Sequence, residues 1–126
     1  MTRFDEIMVQ ARAGLVGMIR RKNPAGIAGL RSVIAALENS CAVPAVPENL
    51  AVTSDSIAGA VQFGESEAQR RTLTDEEVDQ ILDEEIDMRH QQAESLDRVH
   101  RDLEASIARY QATLITRLKD GDLGVY

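Results

Sequence analysis

Apolar residues recur at alternating three- and four-residue spacings through most of this chain, the pattern of helices that bury one face. The first such face is lined by Phe4, Ile7, Met8, Ala11, Leu15, Met18 and Ile19. Thr2 is placed to cap this helix, and Asp5 and Glu6 suit the positive end of its dipole. Gly14 and Gly17 each cost about 1 kcal/mol relative to alanine inside a helix, a cost that close approach of a neighbouring helix would offset. Arg20, Arg21 and Lys22 complement the dipole at the far end. Asn23 and Pro24 then mark a stop and a restart, because proline is disfavoured within one helix but suits the first position of the next. The second helix carries Ile27, Leu30, Ile34 and Leu37 on one face, with Val33 beside them, and is expected to end near Asn39 or Ser40.

The periodicity lapses between about Cys41 and Arg71, where Pro44, Pro47, Gly59 and Gly64 fall. A structureless connection of that length is unusual within one domain, so residues 42–71 are expected to form a long loop or a partly ordered connection. A short turn is expected around Ile57 to Phe63.

Helical patterning resumes at Leu73-Thr-Asp-Glu-Glu-Val78, the strongest local signal in the chain. Thr74 and Glu77 have the spacing of a capping box, and Leu73 can staple to Val78 across the first turn. From there Leu82, Ile86, Arg89, Ala93, Leu96, His100, Leu103, Ile107, Tyr110 and Leu114 alternate spacings of four and three, a heptad seam. Neither glycine nor proline interrupts it before Gly121. An unbroken helix from Thr74 to Leu118 would be roughly 65 Å long at 1.5 Å per residue. Two shorter helices cannot cover that length, so the long helix is expected either to bend near Ser95 or to be covered in its far half by another chain. The expected architecture is an all-α helical bundle, two shorter N-terminal helices packed on one long C-terminal helix. A homodimer, or a protein partner held through that helix, is the expected association.

Composition agrees with this picture. Aromatic residues are 3% and tryptophan is absent, so the core must come from Leu, Ile, Val, Ala and Met, the materials of helix-on-helix packing. A length of 126 residues suits a single domain spanning 1–126. The net charge of -7 works against direct tRNA or other nucleic-acid binding, which needs a basic face. The start of the chain lacks an apolar signal-peptide core, and no run approaches the roughly 20 apolar residues of a membrane span. A cytoplasmic protein with no membrane association is expected.

Candidate chemistry is sparse. Asp87 and His90, and again Asp97 and His100, sit three apart, the spacing of carboxylate and imidazole ligands in di-iron bundles. Such sites also need inward glutamates from two further helices, and His90 and His100, ten residues apart, do not share a helical face. Ordinary surface pairs are expected, with no metal and no cofactor. Cys41 is the only cysteine and has no activating partner in sequence, so no catalytic nucleophile is assigned. Arg89 and His100 stand out because they interrupt the seam itself, where a polar residue sets register or partner number. His100 could also make a pH-sensitive contact. Arg31 is a candidate to join Glu85 or Arg89 in a buried polar network between the second helix and the long one.

The segments Gly29-Leu-Arg-Ser-Val-Ile-Ala-Ala-Leu-Glu-Asn39 and 71–89, which includes Leu73-Thr-Asp-Glu-Glu-Val78, resemble the most recognisable stretches of the YqeY-like family, also called GatB/YqeY domain proteins. Arg31, Glu85 and Arg89 fall on matching positions. The resemblance implies the all-helical N-terminal part of that family and a link to glutamine-dependent tRNA amidotransferase, a carbon–nitrogen ligase chemistry in which this chain would be an accessory. The tRNA link belongs to a tail domain that follows the helical part in the family and is not expected within these residues. The Gly-centred break that family members show in the second half of this region is also missing, in keeping with an unbroken helix. A non-catalytic interaction domain is therefore the expected function.

Overall fold

The computed structural model describes residues 1–42 and 71–123. Four α-helices lie among these residues: α1 (Arg3–Arg20), α2 (Pro24–Cys41), α3 (Asp75–Arg98) and α4 (Asp102–Asp120). The long-loop expectation for 42–71, with its turn near Ile57, lies almost wholly outside the described residues.

The helix starts follow local chemistry. Thr2 accepts from the Asp5 N–H while the Asp5 carboxylate accepts from the Thr2 N–H, closing a capping box on α1. Asn23 Oδ1 accepts from the Gly26 N–H, with Pro24 at the first position of α2. Thr74 and Glu77 exchange the same two bonds at the head of α3, at 2.9 and 3.1 Å. Leu73 and Val78 are both buried in the main core, as a staple across that turn requires.

The expected long C-terminal helix is overturned, and with it the arrangement of two short helices on one long one. The chain leaves helical geometry at Val99, and α4 folds back antiparallel along α3. The reversal lies beyond Ser95 and is a complete turn rather than a bend. His100 adopts φ 62° there. Its N–H donates to the Asp97 carbonyl and the Arg101 N–H to the Leu96 carbonyl, the bond pair of a Schellman motif. The same pair ends α1, where Lys22 at φ 55° donates to Ile19 and Asn23 to Met18. It also ends α4, where Gly121 at φ 82° donates to Leu118 and Asp122 to Arg117. Only this last closure uses glycine, the residue that adopts this conformation without strain.

Energetics explain why the chain turns at a histidine. The left-handed conformation costs a non-glycine residue about 1–2 kcal/mol. A straight helix would instead leave its far half in water. Folding back seats Leu114, Ile115 and Leu118 in the main core with Ile7, Met18, Leu30, Leu37 and Leu82. Each such burial stabilises by about 1.5–3 kcal/mol, so the turn is favoured several times over.

Polar ties close the end of the bundle where α1 and α3 begin. Arg3 Nε donates to Asp79 at 2.7 Å and its Nη2 to the Lys119 carbonyl at 3.0 Å, joining α1, α3 and α4. Lys119 Nζ donates to Asp83 at 2.7 Å. Arg71 links α2 to α3: its N–H donates to the Cys41 carbonyl, its Nε to the Ser40 carbonyl, and its guanidinium to Glu77.

Candidate functional site

The reversal at His100 redistributes the heptad seam. Leu82, Arg89 and Ala93 remain buried on α3, with Ile86 and Leu96 half-buried. Past the turn the seam residues Leu103, Ile107 and Tyr110 face outward and only Leu114 returns to the core, because α4 meets α3 through a different stripe: Ala105, Ala108, Ala112 and Ile115, all buried. Their spacing of three and four was present in the sequence alongside the larger residues of the seam. Alanine lets two helix axes come close, and the tip of the hairpin has a small core of its own made by Ala93, Ala105 and Ala108 with Leu96. As a result Leu103 is 77% exposed and Val99 63%, with Ile107 and Tyr110 also exposed beside them.

The α3–α4 hairpin is longer than the helices packed on it. Along it, α2 runs from its C-terminal end near Arg71, past Ser32 at the level of Glu85, to Ala25, whose carbonyl accepts from Gln111 Nε2 at 3.0 Å. There α2 begins, and Asn23 Nδ2 donates to Tyr110 Oη at 2.8 Å. Close approach at this crossing relies on Gly29, where a Cβ would lie 3.3 Å from the Gln111 side chain. The last turns of α3 and the first two turns of α4 extend beyond α2. Between them runs an open groove of about 300 Å³ lined by Gln92, Leu96, Glu104, Ile107, Ala108 and Gln111.

A buried polar cluster sits deeper in the bundle. Glu85 Oε1 accepts from Arg89 Nη1 at 3.0 Å and from Ser32 Oγ at 2.9 Å. Arg89 Nη1 also donates to the Glu85 carbonyl at 3.1 Å. The side chains of Glu85 and Arg89 are 10% and 8% exposed, so this is an ion pair held out of water. Burying both charges requires that each be hydrogen-bonded, and Arg89 Nε has no partner among the described residues.

The residues singled out in the sequence thus fall into three environments. Glu85 and Arg89 come together. Arg31 is exposed, and the neighbouring Ser32 reaches Glu85 instead. A serine hydroxyl one position away carried no signal that charge and periodicity could detect. His100 is exposed in the turn, where its backbone does the structural work. Asp97 pairs with Arg109 of α4, bridging the hairpin. Among the described residues no group of three His, Cys, Asp or Glu side chains could hold a metal ion, and no helix is long and apolar enough to cross a membrane.

No family model matches the chain, and neither a curated protein nor a solved structure matches it. Among the described residues the fold is an all-α bundle of four helices.

Proposed function

We propose that this chain is a non-catalytic protein-interaction domain that works through the protruding tip of the α3–α4 hairpin. One observation carries the reading: Val99, Leu103 and Ile107 are exposed at the hairpin tip, and Ile107 lines an open groove there. Exposed apolar residues also line one flank of α1, at Val9, Val16 and Ile19, so it is the groove beside the tip residues that sets them apart. A cluster of them next to a concave surface is the usual mark of a docking site. The test is capture from the native host by the immobilised chain, with bound proteins identified by mass spectrometry. A defined host protein retained by the wild-type chain and lost with Leu103→Asp supports the reading. Equal retention by both, or none by either, counts against it.

The second reading, an accessory to amide transfer on tRNA, rests on the resemblance of 29–39 and 71–89 to YqeY-like proteins. Glu85 and Arg89, two of the three matching residues, are engaged inside the bundle and have little to offer an RNA surface. The net charge of -7 points the same way. A tRNA gel shift at moderate salt tests it, and a complex at micromolar protein would revive it.

A further inference from the structure

Charge is divided unevenly along this chain. From Ile7 to Leu37 five cations, Arg12, Arg20, Arg21, Lys22 and Arg31, occur without a single aspartate or glutamate. All 21 carboxylates fall elsewhere, against nine cations, so the net charge of -7 hides a basic α1–α2 hairpin within an acidic molecule. The two parts act separately on their surroundings. Helices are about 10 Å across, so the outer sides of two packed layers stand about 20 Å apart, well beyond the roughly 8 Å over which physiological salt screens charge. Arg12 pairs with Glu38 at 3.3 Å, whereas Arg20, Lys22 and Arg31 are exposed and enter no ion pair among the described residues.

The same hairpin exposes apolar residues among these cations. Val9, Ala13, Val16 and Ile19 follow one another at spacings of four, three and three along the outer side of α1, and all are exposed. At 1.5 Å per residue the line is roughly 15 Å long. Arg12 fixes its relation to α2, because the pair with Glu38 crosses the hairpin. The helices run antiparallel, so seven residues on along α1 and seven back along α2 bring Ile19 level with Arg31. The apolar line thus has Arg12 and Arg31 on its α2 side and Arg20, Arg21 and Lys22 at the turn.

What covers this face must offer negative charge and hydrocarbon together. A second copy offers the carboxylates of α3, but Met88 is the one large apolar residue exposed along that helix. A nucleic acid offers phosphate, yet no residue from Ile7 to Leu37 is aromatic, so bases have nothing to stack on. A helix of an acidic protein seats best in a trough, and the cavities of about 300 and 310 Å³ open elsewhere, at the hairpin tip and beside Leu73. A bilayer with anionic headgroups supplies both properties on a broad, even surface, and it suits apolar residues on the convex side of a helix with cations around them. We propose that the outer face of α1 docks on an anionic lipid surface. Val9, Val16 and Ile19 enter the boundary between headgroups and acyl chains, while Arg12, Arg20, Lys22 and Arg31 reach the headgroup oxygens. Docking is peripheral, since no described helix is long and apolar enough to cross a membrane.

Flotation of the full chain with lipid vesicles measures this. The chain should rise with vesicles of phosphatidylcholine containing roughly one-third phosphatidylserine, stay behind with phosphatidylcholine alone, and leave the anionic vesicles as salt is raised. Each cation near such a surface strengthens binding about five-fold, so reversing two of them, Arg20→Glu with Lys22→Glu, should weaken partitioning by at least about twenty-fold. Val16→Ser, which leaves the charge unchanged, should weaken it several-fold, and Leu103→Ser at the hairpin tip should not alter it. All four side chains are exposed, and circular dichroism melts establish that each variant is folded. A wild type that ignores anionic vesicles, or that binds phosphatidylcholine alone equally well, overturns the proposal. So does binding that survives the double charge reversal or Val16→Ser, or that Leu103→Ser abolishes. A chain that ignores vesicles but retains a host protein through Arg20 and Lys22 assigns the face to an acidic protein and overturns the lipid as its occupant. The capture experiment with Leu103→Asp concerns the hairpin tip, so either reading can fail without the other.

Discussion

The guanidinium of Arg89 lies 3.0 Å from the carboxylate of Glu85 one turn earlier on α3, and both side chains are nearly sealed from water. Ser32 of α2 donates to the same carboxylate oxygen, so the pair also joins two helices.

Removing one partner of such a pair strands a buried charge, at a cost of about 3–5 kcal/mol. Glu85→Ala and Arg89→Ala should each lower stability by that order in urea denaturation. Replacing both together, Glu85→Leu with Arg89→Met, should recover most of the loss, because two apolar side chains of similar volume need no desolvation. Ser32→Ala removes a hydrogen bond to a charged group and should cost about 1.5–3 kcal/mol.

His100 holds a left-handed conformation that glycine adopts freely. His100→Gly is therefore expected to stabilise the fold by about 0.5–1 kcal/mol, the relief of strain being partly offset by glycine's greater freedom in the unfolded chain. His100→Val should destabilise it, since a β-branched residue is the poorest fit at positive φ. Thermal melts of the two variants should move in opposite directions from the wild type.

Gly14 of α1 faces Leu30 and Leu123, and a Cβ there would come within 2.9 Å of the Leu123 side chain. At Gly26 the same addition would lie 2.6 Å from the sulfur of buried Met18. Alanine raises helix propensity by about 1 kcal/mol relative to glycine, so a gain is expected where space allows. Here overpacking costs about 1–3 kcal/mol, so a net loss of up to about 2 kcal/mol is expected at Gly26, where the Met18 sulfur also accepts from Asn23, and less at Gly14. Denaturant midpoints of the two alanine variants measure the difference.

The capping box of α3 sets a pH dependence. The N–H of Thr74, followed by the Arg71 guanidinium, holds the Glu77 carboxyl below its ordinary range. A depressed folded-state value means that the contribution to stability is fully present above the unfolded value of about 4.3 and is lost as pH falls through the lower folded one. Glu77→Gln should flatten this part of the stability profile between neutral and acid pH. Thr74→Ala should cost about 1 kcal/mol at neutral pH, read from chemical denaturation.

Where the first three helices start was determined by the sequence, because capping is local: Thr2, Asn23 and Thr74 act on N–H groups within three residues of themselves, whereas α4 starts without a side-chain cap. The all-helical class was legible for a similar reason, since three-and-four spacing needs no knowledge of what it packs against. Where α3 ends was not legible. Its turn has neither glycine nor proline, and the seam of large apolar residues runs through His100 without a break. Tertiary packing decided that Ala105, Ala108 and Ala112 would face α3, because burying a second half of the helix outweighs one strained backbone conformation. That decision turned Leu103 and Ile107 outward and so created the candidate interaction face. It also buried Glu85 and Arg89 beside Ser32, a contact between residues 53 positions apart that exists only once α2 lies along α3.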